Sequence, residues 1–167
     1  PKLIKGPDIF IETLKILRAK GLPIYALLTG PARGYVKKEL IKNNIPFFHS
    51  YVQNLDELVP LYQALDIYLI TSREEGGPLG LIESMSCGIP VVTTQVGMST
   101  DVINKNVPGE ISDTFDPKIL AYKIELTLDC FSKNEIESVS VIRKNIIKFD
   151  WKEVAKQHWE KVYKNLI

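Results

Sequence analysis

Cysteine is scarce. Only Cys87 and Cys130 occur, far apart and without CxxC spacing. That argues against a disulfide framework and a cysteine zinc site, and makes a reducing compartment the simplest home. An excess of charge of one sign is also lacking. Lys and Arg number 21 against 20 Asp and Glu, a net charge of +1, so there is no bulk positive field of the kind a nucleic-acid binder relies on. No apolar run reaches the roughly 18 residues of a membrane-spanning helix, and no secretory leader opens the chain. Internal repeats, low-complexity segments and linkers are missing. An initiating methionine is missing too: Pro1-Lys2-Leu3-Ile4-Lys5-Gly6-Pro7-Asp8 reads as a loop entering a helix, so the expectation is a fragment without its amino-terminal part. What remains is an ordinary globular composition, 45% hydrophobic and 25% charged over 167 residues. A chain of that length forms one domain and buries roughly 70% of its unfolded surface.

Apolar residues at helical spacing alternate with short apolar runs through the first two thirds of the chain. Pro7 to Lys20 places Ile9, Phe10, Leu14 and Leu17 at helical spacing, with Pro7 suited to the first turn and Gly21 to the stop. Further helices are predicted at Tyr35 to Asn43, Asp56 to Ala64 and Gly80 to Ser86. Between them Ile24 to Leu28, Pro46 to His49, Ile67 to Ile70 and Val91 to Thr94 read as strands. Near-continuous apolar strands separated by helices predict a Rossmann-like, doubly wound α/β fold with a parallel sheet and helices on both faces. The last third is helical, at Asp116 to Phe131, Glu135 to Lys148 and Trp151 to Leu166, the last forming a C-terminal tail.

In such a sheet ligands bind beyond the carboxyl ends of the strands. The loops there are Thr29 to Gly34, Ser50 to Asn54, Ser72 to Leu79 and Gln95 to Thr100. The third carries the most information: Ser72-Arg73-Glu74-Glu75-Gly76-Gly77-Pro78-Leu79-Gly80-Leu81-Ile82-Glu83. Gly76, Gly77 and Gly80 let backbone approach a ligand. The helix start that follows exposes N–H groups and a positive dipole end suited to phosphate. Glu75 and Glu83, eight positions apart, meet at one crevice if the loop folds back, and a carboxylate there accepts hydrogen bonds from the adjacent hydroxyls of a ribose or hexose. Taken singly, Glu83 is equally well explained by the helix dipole and the glycines by a tight turn; as an ordered set they favour a ligand.

The run from Glu75 to Thr94, EGGPLGLIESMSCGIPVVTT, resembles the glutamate-seven-glutamate signature of retaining glycosyltransferases with the two-domain GT-B fold, in the group numbered four in the carbohydrate-enzyme classification. Lys5-Gly6-Pro7-Asp8 is similar to that family's lysine-glycine approach to a helix. Asp56 to Ile70 resembles the helix and strand before the signature, and Phe149-Asp150-Trp151 with its helix resembles the terminal segment that crosses back to the other domain. The resemblance implies that residues 1–148 form the donor-binding domain and 149–167 the returning helix. It implies that Glu83 holds the ribose hydroxyls of a nucleotide-sugar and that Glu75 contacts the donor sugar. Lys5 would neutralise the departing diphosphate. Backbone N–H groups of Gly76, Gly77, Leu79 and Gly80 would face sugar and diphosphate, and Val52 would touch the base through its backbone. The sequence departs from the family where Met98 replaces a glycine, and it starts too late to include the strand and arginine that usually precede the lysine.

The reaction implied moves a sugar, with retention, from a nucleoside diphosphate to a glycan, lipid or small-molecule acceptor held by an amino-terminal domain outside this chain. No cofactor is expected. With no Asp-x-Asp pair and no His-Glu cluster, neither is a metal. No nucleic-acid partner is expected, and the location expected is cytoplasmic, with any membrane contact made by the missing part. Two other readings stand beside this one. A nucleotide or nucleotide-sugar binding module would perform no transfer on its own. A flavodoxin-like signalling domain would give Glu75 and Glu83 no joint role. Plainer expectations apply elsewhere: His49 is a satisfied loop histidine, Cys87 a small buried residue, and Tyr25, Tyr68, Trp151 and Trp159 core or docking residues.

Overall fold

The computed structural model describes residues 3–31 and 33–166. Pro1, Lys2, Ala32 and Ile167, which fall in the expected domain ranges and in the loop 29–34, lie outside the described residues. In chain order the elements are α1 (Pro7–Ala19), β1 (Ala26–Thr29), α2 (Gly34–Lys42), β2 (Phe47–Ser50), α3 (Leu55–Gln63), β3 (Tyr68–Ile70), α4 (Leu79–Ser86), β4 (Val91–Thr94), α5 (Ser99–Val102), β5 (Gly109–Ser112), α6 (Pro117–Lys133), α7 (Glu135–Ile146) and α8 (Trp151–Lys161). Short 3-10 turns occupy Leu3–Lys5, Ile147–Phe149 and Tyr163–Asn165.

Local chemistry sets the ends of the helices. Pro7 sits in the first turn of α1, and Gly21 beyond its end takes φ 89°. Asn54 caps α3 by accepting from the Glu57 N–H, and Asp116 and Asp150 cap α6 and α8 in the same way. The strand pairings are all parallel and form two ladders, β1-β2 and β3-β4-β5. Strand β4 is fully buried, and its side chains show how the layers are arranged. Val92 joins Ile9, Leu14 and Leu17 of α1, Leu28, and Leu120 and Ile124 of α6 in one core. Val91 joins Ile70, Leu81 and Met85 of α4, and Ile142 and Ile146 of α7 in another. Alternate residues of one strand thus feed opposite faces. This is the expected Rossmann-like α/β arrangement with helices on both faces.

The details depart from expectation at several places. β5 was not predicted. Gly109 and Glu110 are poor strand formers, and the segment is extended because it pairs with β4 from Val91↔Gly109 to Thr94↔Ser112. Ser99–Val102, read as loop, makes one helical turn. The helix expected to reach Lys148 gives way after Ile146 to a 3-10 turn. The tail helix ends at Lys161 rather than Leu166.

Candidate functional site

The segment before α1 is clamped across the carboxyl end of β3. The Thr71 hydroxyl donates to the Gly6 carbonyl at 2.9 Å, and the Arg73 N–H to the Ile4 carbonyl at 2.8 Å. The Arg73 guanidinium donates to the Leu3 carbonyl at 2.6 Å and grips both carboxylate oxygens of Asp8 at 2.9 and 2.6 Å. That guanidinium holds the Asp8 carboxyl below its usual range, chiefly through the hydrogen bond and against the opposing effect of burial. Gly6 makes the close approach workable. Its φ is 58°, and any Cβ there would run into the Thr71 carbonyl.

The clamp delivers Lys5 to Glu75, with Nζ 2.6 Å from Oε1. The Ser72 hydroxyl donates to the same oxygen at 2.8 Å. The two residues expected to act in catalysis therefore form an ion pair, its lysine 55% exposed and its glutamate 17%. Behind them Thr94 Oγ1 donates to the Ser72 carbonyl at 2.5 Å, tying the loop to β4.

Glu83 sits in the second turn of α4, because the helix begins at Leu79. A carboxylate favoured by the helix dipole belongs in the first turn, so that explanation of Glu83 falls away. Its Oε2 accepts from the Tyr62 hydroxyl of α3 at 2.7 Å. The Tyr62 ring meets Tyr68 edge-on, with centroids 5.5 Å apart at 63°. Burial pushes the Tyr62 hydroxyl well above its ordinary value, and Tyr68 and Glu83 add to the shift. Burial also raises Tyr68, against the hydrogen bond with Tyr62, which lowers it.

Each glycine of the loop has its own surroundings. A Cβ on Gly80 would strike the Tyr68 hydroxyl, so this position must stay small for α4 to start against β3. Gly76 faces open space, and Gly77 has only Met98 Sδ nearby, 3.8 Å from where its Cβ would stand. Leu79 is exposed, and Pro78 supplies no side-chain cap to α4. Met98 is half-buried against the second core. The close backbone contact in its loop belongs to Gly97, whose φ is 50° and whose Cβ would lie 2.6 Å from the Gly76 carbonyl.

Val52 lines a groove of about 300 Å³ with Thr29, Gly30, Gln53, Asn54, Leu55 and Leu58, beyond the ends of β1 and β2. His49 bonds the Gly30 carbonyl at 2.8 Å through Nε2 and so joins the two loops. Arg33, which the sequence reading did not weigh, donates from Nε to the Thr29 carbonyl at 2.8 Å. Its only signal was membership of the loop 29–34. Tyr62 lies within the expected helix Asp56 to Ala64, where nothing in the sequence separates it from an ordinary apolar helix residue. Tyr25, Trp151 and Trp159, expected in the core or at a docking face, are exposed at 65%, 78% and 52%. Among the described residues no group of three or more His, Cys, Asp or Glu side chains is placed to hold a metal.

The family model described as glycosyl transferases group 1 matches residues 2–146. The chain belongs to the group 1 glycosyl transferases. The D-inositol 3-phosphate glycosyltransferase of Jonesia denitrificans is 23% identical over 163 residues, covering 91% of this chain and 38% of that protein. An uncharacterized glycosyltransferase of Methanocaldococcus jannaschii is 27% identical over 123 residues, covering 72% of this chain and 34% of that one. This group 1 chain therefore spans well under half the length of the curated relatives it matches. Among solved structures, a glycosyltransferase from Rickettsia africae superposes with a TM-score of 0.80 at 21% identity, over 97% of this chain and 44% of that one. The Anabaena protein HepE, solved in complex with UDP-glucose, superposes at 0.66 with 17% identity, over 94% of this chain and 46% of that one. These likenesses establish the Rossmann-like fold shared with GT-B glycosyltransferases.

Proposed function

We propose that this group 1 chain is the donor-binding half of a retaining glycosyltransferase of the family-four group, moving a sugar from a nucleoside diphosphate to an acceptor. The observation that supports the reading is Glu75, paired with Lys5 on the loop after β3, followed at once by the uncapped start of α4, the helix that carries Glu83. Glu83 accepts from the ribose hydroxyls, and the base lies along Val52. The sugar lies over Gly76, which faces open space, and Gly77, with Glu75 on its hydroxyls. Charge grows on the diphosphate as it leaves. The Lys5 ammonium and the N–H groups of Leu79 and Gly80 at the uncapped start of α4 meet it. Lys5 is the exposed member of its ion pair, and when it turns to the diphosphate the Ser72 hydroxyl still donates to Glu75. HepE, similar to this chain in fold, is solved in complex with UDP-glucose.

Residues 1–148 are then the donor domain and 149–167 a helix that docks on a further domain holding the acceptor. Helix α8 buries none of its residues, in keeping with a partner elsewhere. Calorimetric titration with UDP, GDP and ADP, and with pyrophosphate as the control, tests the assignment. Glu83→Ala should weaken the preferred nucleoside diphosphate about tenfold or more and pyrophosphate far less. Equal effects on both, or none, would refute the ribose role. Sugar transfer by this chain alone would refute the need for a second domain.

A further inference from the structure

We infer that Tyr62 is a positioning residue that presents Glu83 to the ribose diol. The inference rests on the proposed ribose role of Glu83 and extends it to a side chain on another helix. Tyr62 is buried, and its hydroxyl donates to Glu83 Oε2 at 2.7 Å across a sequence gap of 21 residues. Its ring is held edge-on by Tyr68, which is itself wedged against Gly80 in the first turn of α4. Leu58, four residues before Tyr62 and so on the same face of α3, lines the groove that contains Val52. One helix face therefore runs from the base groove to the ribose carboxylate.

The chemistry follows from the donor count. A carboxylate has two oxygens and about four lone-pair sites. The phenol uses one, so Oε1 and part of Oε2 stay open to a diol. A glutamate side chain without that anchor samples several rotamers, and binding must then freeze it. Burial keeps the phenol protonated over the whole working pH range, so it remains a donor whenever Glu83 is charged.

The test compares the tightest-binding of UDP, GDP and ADP with its 2′,3′-dideoxy counterpart, on the full chain. Tyr62→Phe keeps the ring and its packing and removes only the hydroxyl. It should weaken the ribose ligand roughly threefold to tenfold and leave the dideoxy ligand unchanged, so that the ratio of the two affinities falls. Equal weakening of both ligands would mean that Tyr62 supports the fold generally, and no change in either would mean that the bond does no positioning; each outcome overturns the inference. Glu83→Ala separates this from the underlying reading. If it leaves the ribose preference intact, the ribose role fails and the inference with it. If it abolishes the preference while Tyr62→Phe leaves the ratio of the two affinities unchanged, only the role of Tyr62 fails.

Discussion

Lys5 reaches the crevice because three residues fix the backbone beneath it. Gly6 supplies a left-handed turn flush against the Thr71 carbonyl, and Asp8 and Arg73 lock the turn from the other side. The Asp8–Arg73 pair has a sign that can be checked. Its hydrogen bonds hold the Asp8 carboxyl below the ordinary value of 3.8, so its contribution to stability is complete above that pH and fades as pH falls through the lower folded value. Urea unfolding of the wild type and Arg73→Gln at pH 7 and pH 3 should therefore show a gap in stability at pH 7 that narrows at pH 3. Arg73→Gln also removes the bond to the Leu3 carbonyl, which does not ionise, so the change of the gap with pH isolates this pair. A gap of the same size at both pH values would show that the guanidinium does not act through an ionised Asp8.

At the scale of elements, α4 is the piece on which the site turns. Leu81 and Met85, four apart on its inner face, are fully buried in the second core, while Glu83 between them faces α3. Leu81→Ala should cost about 2–5 kcal/mol, for the lost burial and the cavity left behind. It should also lower nucleotide affinity, because the helix carrying Glu83 loses its seat; urea unfolding and calorimetry on one preparation read both. The order of helices and strands before α4 was legible from apolar spacing, because those segments bury one face or both. β5 was not, because its extension comes from its partner β4 and not from Gly109 and Glu110 themselves. Glu75, Glu83 and the glycines were legible because they crowd one loop and the helix after it. Tyr62 lies on another element, and only the fold carries it to Glu83. The exposed Trp151 and Trp159 show the same limit: spacing marks an apolar face on a helix but not whether anything covers it.

Across the whole molecule, burial divides the chain unevenly. Helices α1, α4, α6 and α7 bury side chains in the two cores, and the 3-10 turn that follows α7 still contributes Phe149 to the second. Helix α8 buries no residue and leaves Trp151 and Trp159 exposed, and Val162, Tyr163 and Leu166 beyond its end are exposed too. If 149–167 is the helix that returns to another domain, its apolar side chains serve that contact and not the fold seen here. Ending the chain after Asp150 keeps Phe149 and removes only surface helix. The loss in urea stability should then be under about 1 kcal/mol, since segments with little buried area contribute little to global stability. The truncated chain should also bind its preferred nucleoside diphosphate as the full chain does, because the Lys5–Glu75 pair and the Tyr62–Glu83 pair both lie within the retained residues. A large drop in either measurement would make α8 part of the donor domain and move the proposed boundary at 148 to the end of the chain.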